Sequence, residues 1–358
     1  MKKRIFALIV ILALILTGCG NSQASKKTEE KSTNQSADKN LVLSTFGLSQ
    51  DIVQKDIIDP FMKESGAKVV LEVGNASERY TKLANNPNSN IDVIELSQSL
   101  ASKGAKEGVF VPLTEKEVPN IANLTDGAKE VLKSGAGVPT AVNSIGIIYN
   151  KAKLGRDITS WDDLWSADLK GKVAIPDITT TAGPLMLYVA ADHVKSDITK
   201  DSKPAFEALQ QLKPNVVKTY TKSSDLANMF QSGEIEVAVV ADFAVSIVQK
   251  ASADAVYVVP ASGTYANYNT INVSKNSAHK ELAYQFINHR ISEASQRAKA
   301  AATSLREAPV NKQVVLTEDE AKNMTYGAVA QRAKTIDFKY VNDNLKQWIE
   351  QFNSIMNK

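Results

Sequence analysis

Short apolar runs rich in β-branched residues alternate with helical patterns along most of the chain. The runs Leu41–Leu43, Lys68–Val73 and Ile91–Leu96 each predict a strand, and apolar residues at helical spacing follow each of them. After a break the pattern returns, with strands predicted at Val173–Pro176, Val216–Tyr220 and Glu236–Ala241. From Ala278 onward the pattern predicts helices. Strands alternating with helices predict an α/β fold with a largely parallel sheet, and the break indicates two lobes.

The stretch between the two α/β regions, Gly137–Asn150, combines a Gly-Val-Pro turn, a polar patch and an apolar run. The run Ile145–Tyr149 predicts a buried strand, and polar residues directly before it are typical of a crossing between two lobes. Further along, Tyr257–Pro260 predicts a strand, Gly263–Asn269 a loop, and Thr270–Val273 another strand. We interpret this second region as the return crossing, so that two strands would form a hinge.

The N-terminus carries an export signal. A basic start is followed by Ile5–Leu16, an apolar run too short to span a bilayer as a mature helix. The run ends in Leu-Thr-Gly-Cys19, which resembles the bacterial lipobox. The resemblance implies that residues 1–18 are a lipoprotein signal peptide and that Cys19 is diacylated after its removal. The alternative is an ordinary signal peptide or membrane anchor with an incidental cysteine.

The net charge of +3 arises mainly outside the predicted folded region. Lys2, Lys3 and Arg4 lie in the signal peptide, and residues 19–40 contain almost no large apolar side chain. Such a composition predicts a disordered, lipidated tether. The remainder is close to neutral and has no basic cluster with interleaved aromatic residues, so no nucleic-acid partner is predicted.

No catalytic or metal-binding pattern is recognisable in the sequence. It has no Gly-x-Ser-x-Gly elbow and no phosphate-binding or dinucleotide-binding glycine motif. The three histidines have no His or Cys partner at metal-ligand spacing, and processing would leave Cys19 without a free thiol. We therefore predict a protein that is not an enzyme and that has no catalytic residues, no metal and no cofactor.

Small polar residues cluster where predicted strands end and helices begin. Such junctions place side-chain oxygens and free backbone N–H groups at the carboxyl edge of a sheet, where ligands bind. The alternative for each junction is helix capping alone. Asn143 and Ser144 in the first crossing would either satisfy backbone groups or contact a solute. The predicted ligand-binding residues are Ser44, Thr45, Asn75, Ser77, Ser97, Gln98, Asn143, Ser144, Asp177, Thr179, Thr180, Thr181, Asp242, Tyr265, Asn267 and Tyr268.

Several sequence segments, taken together, resemble those of an extracellular solute-binding lipoprotein of an ABC importer. They are the lipobox, the tether, the crossing Gly137–Asn150, Ser160–Trp165 followed by Lys170–Val173, and Gln231–Glu234 before a Val-rich strand. The chain is most similar to the branch that holds spermidine/putrescine-binding and ferric-iron-binding proteins. The resemblance covers nearly all of residues 41–310.

The resemblance implies a two-lobed periplasmic-binding-protein fold of type II, each lobe a mixed, mostly parallel sheet flanked by helices, joined by a two-strand hinge. Lobe 1 would comprise residues 41–142 with 270–358, and lobe 2 residues 143–269. The lobes would close over a small solute and deliver it to an ABC permease with its ATPase. We expect an exported monomer, anchored through the diacylglyceryl group on the outer face of the cytoplasmic membrane or the periplasmic side of a Gram-negative membrane. The alternative is a lipid-anchored surface or chaperone-like protein without a small ligand.

The sequence departs from both groups of relatives at the expected pocket. Polyamine binders use Trp, Tyr and several carboxylates, whereas this chain has Asp177 followed by three threonines. Ferric binders use adjacent tyrosines where this chain has Asp242-Phe243, which disfavours iron. The resemblance predicts a polyamine. The residues favour a zwitterion or anion-bearing solute such as an amino-phosphonate, with its anion at Thr179–Thr181 and its other end near Tyr265 and Tyr268.

Overall fold

The structure is a computed structural model, and it describes residues 39–47, 49–86 and 88–357. The predicted signal peptide, Cys19 and nearly all of the predicted tether lie outside these residues. Within the described ranges, no helix is both long and apolar enough to cross a membrane.

The described residues form ten strands in a single hydrogen-bonded network. Their bounds are β1 Asn40–Thr45, β2 Lys68–Val73, β3 Val93–Ser97, β4 Val138–Asn150, β5 Val173–Pro176, β6 Val216–Tyr220, β7 Val237–Ala241, β8 Ala255–Val258, β9 Thr264–Val273 and β10 Ala333–Lys334. The strand order is β2-β1-β3-β9-β4-β7-β5-β6, with β10 beside β9 and β8 beside β4.

Two parallel strand sets flank an antiparallel centre. β1 pairs in parallel with β2 and β3, and we call these three the first strand set. β5 pairs in parallel with β6 and β7, which form the second strand set. Between them β9 runs antiparallel to β3 and to β4, and β4 runs antiparallel to β7. The alternating pattern in the sequence therefore gives the predicted mixed α/β architecture.

The strand β4 connects the two sets. Its residues Val138–Ser144 pair with β9, and Ile145–Tyr149 pair with β7. All thirteen residues of β4 are buried, including the polar side chains Thr140, Asn143 and Ser144. The polar patch and the last two residues of the predicted turn, Val138 and Pro139, are thus part of one long strand. Neighbouring strands satisfy most of its backbone, and at the register shift Gln296 Nε2 donates to the Thr140 carbonyl at 2.9 Å.

Helices cover both faces of the network. The bounds are α1 Gln50–Val53, α2 Asp59–Ser65, α3 Ala76–Asn85, α4 Gln98–Glu107, α5 Asp126–Lys133, α6 Lys151–Leu154, α7 Gly183–His193, α8 Lys203–Leu212, α9 Ser223–Ser232, α10 Val245–Ala251, α11 Lys280–Arg290, α12 Glu293–Ala300, α13 Glu318–Ala321, α14 Ala328–Gln331 and α15 Phe338–Met356. A π-helical turn, Gln54–Ile58, joins α1 to α2. Short 3₁₀ turns occupy Pro119–Asn123, Trp161–Trp165, Ala167–Leu169, Lys213–Asn215 and Asp242–Ala244.

The buried apolar residues form one cluster around the first strand set and two around the second. The apolar stripe of α15, including Trp348 and Phe352, belongs to a cluster of the second set. The opposite side of α15 contacts α4, where the Ser99 hydroxyl donates to Asn342 Oδ1 at 2.7 Å and Asn342 Nδ2 donates to the Ser99 carbonyl at 2.9 Å. The last helix thus touches both halves of the molecule, and the predicted lobe boundaries stay a prediction.

Two predicted elements differ in the structure. The predicted loop Gly263–Asn269 is most of β9, because β3, β4 and β10 satisfy its backbone and make a strand from a polar sequence. The predicted helical region beyond Ala278 contains α11 to α15, but the segment 301–316 between α12 and α13 is irregular. It is held instead by backbone bonds to its neighbours, such as the Val142 N–H to the Ala308 carbonyl at 3.3 Å. Pro309 favours an extended residue before it and so opposes a helix there.

Candidate functional site

A cavity of 490 Å³ lies where the carboxyl ends of strands from both sets face each other. None of the described residues that line it carries a charged side chain. Its polar lining consists of hydroxyl and amide groups from Asn75, Ser77, Ser97, Ser99, Thr179, Thr180, Thr181, Thr221 and Ser223. Phe46 and Phe243 contribute aromatic surface, one from each side. This larger cavity is therefore suited to a small polar solute that forms many neutral hydrogen bonds.

The turn that starts α7 forms one wall of the larger cavity. Asp177 Oδ1 accepts the Thr179 N–H at 2.9 Å, and the Thr180 hydroxyl donates to the Asp177 carbonyl at 2.7 Å. A Cβ atom on Gly183 would collide with the backbone at Asp177, so the close approach requires glycine. Thr181 is exposed, and in the described chain neither its N–H nor its hydroxyl has a hydrogen-bond partner. The Gly183 N–H already donates to Thr180 and Pro184 has no N–H, so the uncommitted donors at this end of α7 include the N–H and hydroxyl of Thr181.

A smaller cavity of 270 Å³ adjoins the larger one. The two share four lining residues: Phe46, Ser97, Thr181 and Phe243. In contrast to the larger cavity, the smaller one has charged residues in its lining: Glu95, Asp242, Arg290, Arg306 and Glu307. A solute that extends through both cavities would therefore meet charge at one end and neutral hydroxyls at the other.

Most of this charge is compensated within a buried ion network. Arg290 Nε donates to Glu95 Oε1 at 2.9 Å, and Arg290 Nη2 donates to Glu307 Oε2 at 3.4 Å. The Lys299 ammonium lies 3.3 Å from Glu307, and the Thr45 hydroxyl donates to Glu95 Oε2 at 2.5 Å. Burial lowers the pKa of Lys299 to about 7, against the attraction of Glu307. Both carboxylates of the network are thus already paired before any ligand binds.

The carboxyl group of Asp242 has no cationic partner within ion-pair distance in the described chain. Its Oδ2 accepts the Thr325 N–H at 2.9 Å and the Thr325 hydroxyl at 2.5 Å, and that hydroxyl is 2.7 Å from the Ser144 hydroxyl. Burial raises the pKa of Asp242 to about 7, although these hydrogen bonds act in the opposite direction. Asp242 is therefore the carboxyl group in the smaller cavity that is available to pair with a ligand amine.

The structure brings nine of the predicted site residues to the two cavities. Asn75, Ser77, Ser97, Thr179, Thr180 and Thr181 line the larger cavity, and Thr45, Ser97, Asn143, Thr181 and Asp242 line the smaller one. Their contact with a solute stays a prediction. Seven predicted residues line neither cavity: Ser44, Gln98, Ser144, Asp177, Tyr265, Asn267 and Tyr268.

The three residues of the second crossing are directed elsewhere because they lie in β9 and not in a loop. The Tyr265 hydroxyl donates to Asp192 Oδ2 at 2.8 Å, and its ring packs in the core of the second strand set. Tyr268 packs in the core of the first strand set. Asn267 is fully buried, with its Nδ2 3.5 Å from Asn143 Oδ1.

The other four residues away from the cavities have structural partners or lie on another surface. Ser44 is buried beside Arg79, whose Nη1 is 3.4 Å from the Ser44 hydroxyl. Ser144 bonds with Thr325, and Asp177 stabilises the turn before α7. Gln98 lines a separate groove beside α15.

Sequence reasoning missed three prominent cavity residues, Phe46, Phe243 and Arg306. Phe46 directly follows a predicted junction residue, and Phe243 directly follows Asp242, so the strand-end rule could have included both. Arg306 lies in a region that was predicted to be helical, and no local sequence pattern indicates that it reaches the cavity.

The chain belongs to the family of bacterial extracellular solute-binding proteins, whose family model matches residues 56–352. A crystal structure of an ABC transporter from Clostridium perfringens superposes with a TM-score of 0.81 and 49% sequence identity, covering 88% of this chain and all of that one. The predicted class, a substrate-binding protein of an ABC transporter with a type II periplasmic-binding fold, is confirmed.

Curated relatives share about a quarter of their residues with this chain. The spermidine/putrescine-binding periplasmic protein 1 of Haemophilus influenzae is 28% identical and covers 78% of each chain. The putrescine-binding periplasmic protein SpuD of Pseudomonas aeruginosa is also 28% identical, over 71% of this chain and 74% of its own. The substrate-binding protein PotD of Streptococcus pneumoniae has the same fold, with a TM-score of 0.72 at 17% identity and 87% and 99% coverage. These relatives are solute-binding proteins of transport systems.

The raised pKa of Asp242 predicts a measurable pH dependence of stability. An unfolded aspartate loses its proton near pH 4, whereas folded Asp242 retains it up to about pH 7. The folded state binds more protons in this window, so stability falls as pH rises. Relative to Asp242→Asn, the wild-type free energy of unfolding should decline between pH 5 and 7 by up to about 1.4 kcal/mol per pH unit.

Urea denaturation at several pH values measures this difference. Asp254→Asn is the control, because Asp254 is exposed and lines neither cavity. Parallel stability curves for wild type and Asp242→Asn would contradict the predicted titration of Asp242.

Proposed function

We propose that this protein captures a small organic solute with an anionic group and delivers it to an ABC permease with its ATPase. The observation that carries this proposal is the pair of uncommitted donors of Thr181, just before α7, in a cavity whose described lining residues carry no charged side chain. Free donors at the positive end of a helix favour an anion, and Thr181 supplies a backbone N–H and a hydroxyl that have no partner within the described residues. Neutral donors fix the orientation of a polar solute without a large desolvation cost for a buried fixed charge.

We further propose that the solute is a zwitterion whose amine end lies in the smaller cavity. Phe46 and Phe243 border both cavities, and Phe243 is 43% exposed, which is high for a residue of this type. Aromatic faces attract an ammonium group, and Asp242 supplies an unpaired carboxyl group beside them. Phe46, Phe243 and Asp242 thus take the place of Tyr265 and Tyr268, which the sequence predicts near that end of the solute.

A polyamine is the second candidate, and it is supported by the names of the curated relatives. The cavity lining favours it less. A dication requires carboxylates at two separated positions, but Glu95 and Glu307 are already paired with Arg290 and Lys299. This leaves Asp242 as the carboxyl group available to one amine, and among the described residues that line the larger cavity none is a carboxylate for the second amine.

The export signal supports a lipid-anchored location. We propose that the mature protein begins at Cys19, carries a diacylglyceryl anchor and works as a monomer on the outer face of the cytoplasmic membrane. It binds its solute without chemical change, as the relatives that are solute-binding proteins support. A lipid-anchored surface protein without a small ligand remains the alternative outcome of the binding test.

Matched pairs of solutes test the proposed class. 4-Aminobutanoate and putrescine have the same number of carbon atoms and differ by a carboxylate in place of one terminal aminomethyl group. 2-Aminoethylphosphonate and ethylenediamine form the corresponding phosphonate pair. We expect the anion-bearing member of at least one pair to bind, and at hundredfold excess over its Kd to stabilise the fold by about 3 kcal/mol.

Thermal unfolding and calorimetric titration of the full-length protein in detergent provide the measurement. If only the diamines bind, the solute is a polyamine and the proposed anion-bearing class is wrong. Absence of binding by all four compounds, together with a broad panel of polar metabolites, would support the alternative without a small ligand.

The hydroxyl of Thr181 should contribute directly to affinity. Thr181→Val keeps the side-chain shape but removes a hydroxyl that has no partner within the described residues. A hydrogen bond to a charged group is worth about 1.5–3 kcal/mol, so the variant should bind the anion-bearing solute roughly tenfold or more weakly. Calorimetric titration measures the change. Thr159→Val is the control, since Thr159 is exposed and away from both cavities; equal affinities for the two variants would remove Thr181 from the site.

Lipidation should depend on Cys19 alone. Cells expressing the wild-type protein and supplied with labelled palmitate should yield a labelled product, whereas Cys19→Ala should yield none. Ser22→Ala, three residues further on, should label normally. Labelled product from Cys19→Ala would show that the acyl chain is attached elsewhere.

A further inference from the structure

Two cationic side chains line the cavities in the described part of the chain, Arg290 and Arg306. Arg290 is buried and paired with two carboxylates, Glu95 and Glu307. Arg306 has no carboxylate within ion-pair distance in the same ranges, and its one hydrogen bond is from Nη2 to the Lys322 carbonyl at 3.0 Å. The guanidinium of Arg306 therefore retains most of its donors for a ligand.

The position of Arg306 is determined by the fold and not by a local helix. Its backbone has a φ of 53°, a left-handed conformation that is uncommon for a residue with a side chain. The bond to the Lys322 carbonyl holds one end of its guanidinium. Arg306 also lines a separate groove of 320 Å³ outside the smaller cavity, together with Asp242 and Phe243. It thus stands at a boundary between the smaller cavity and the surface, held in a conformation that costs energy.

The charges around Arg306 leave it as the uncompensated cation of the smaller cavity. Glu95, Glu307 and Asp242 share this lining, Asp319 lines the adjoining groove, and within the described residues none of the four is within ion-pair distance of Arg306. The first two are engaged by Arg290, and Asp242 forms its hydrogen bonds with Thr325. A planar guanidinium with free donors matches two oxygens of a carboxylate or phosphonate, and it repels an ammonium group.

We propose that Arg306 is the residue that selects the charge of the solute, by pairing with its anionic group and disfavouring dications. This inference rests on the proposed function, because it assigns a partner to the anion of the same solute. Thr181 and Asp242 also line the smaller cavity. The anion of the solute would therefore lie where the two cavities join, between Arg306 and Thr181, which lines both cavities, and the amine would lie beside Asp242 in the smaller cavity.

The test compares Arg306→Gln with Arg332→Gln in the full-length protein. Arg332 is the matched control, because it is also partly buried and bonded to backbone carbonyls, those of Ala328 at 3.1 Å and Val259 at 3.2 Å, but it lines neither cavity. The probes are 2-aminoethylphosphonate, 4-aminobutanoate and putrescine, titrated by calorimetry. Melting temperatures without ligand verify that both variants fold.

We expect Arg306→Gln to weaken binding of the anion-bearing probes about ten- to a hundredfold, the range for loss of a charge-assisted hydrogen bond. Its affinity for putrescine should stay equal or increase, and Arg306→Lys should fall between wild type and Arg306→Gln. Arg332→Gln should bind like wild type.

The outcomes separate this inference from the proposed function. If wild type binds an anion-bearing probe and Arg306→Gln binds it equally well, Arg306 is not the selecting residue, while the proposed solute class stands. An equal loss in Arg332→Gln would likewise overturn the role of Arg306. If wild type binds putrescine but neither anion-bearing probe, the proposed solute class is overturned itself.

Discussion

The antiparallel pairing of β4 with β9 is the constraint on which the rest of the structure depends. β4 pairs first with β9 and then with β7, so one strand sets the position of both parallel sets. The cavity walls come from strand ends and junctions on both sides, including Thr45 and Ser97 from the first set and Pro176 and Ala241 from the second. These walls face each other because β4 pairs with β9 over one part of its length and with β7 over the other.

The charged groups of the site are buried or partly buried close to the paired strands β4 and β9, and this burial determines which of them can bind a solute. A buried charge is tolerated when it is paired, and the network of Arg290, Lys299, Glu95 and Glu307 meets this condition under the smaller cavity. Since the charges of these four groups compensate one another, this part of the cavity lining is nearly neutral. Few charged groups therefore remain to recognise a solute, and each acts at one position. This arrangement favours selection among solutes by the type of their charged groups over general attraction of any charged solute.

The sequence was most informative where structure depends on local pattern. The bounds predicted for Lys68–Val73, Val173–Pro176 and Val216–Tyr220 agree with β2, β5 and β6, because flanking turn residues mark their ends. The rule that ligand groups collect at carboxyl ends of strands led to Thr181, which does line both cavities. It also led to residues whose hydrogen bonds serve a turn, such as Asp177, since a capping role and a ligand role use the same side chains.

The errors arose where tertiary contacts outweigh local pattern. Tyr265 and Tyr268 lie in a polar stretch that has loop composition, yet partners on both sides make it a strand and direct these rings into the core. Arg306 reaches the smaller cavity because its segment folds back along β4, a contact between residues far apart in the chain. Such information is not present in any window of neighbouring residues.

The position of α15 has a consequence for measured affinities. Phe338 and Leu345 of this helix line the larger cavity, while Asn342 exchanges two hydrogen bonds with Ser99 of α4. A movement of α4 away from α15 would widen the cavity and would exchange these two bonds for bonds to water. The binding free energy of the solute would then include the free energy of separating α4 from α15. Two solutes with identical contacts could therefore differ in dissociation constant because they require different separations of these helices.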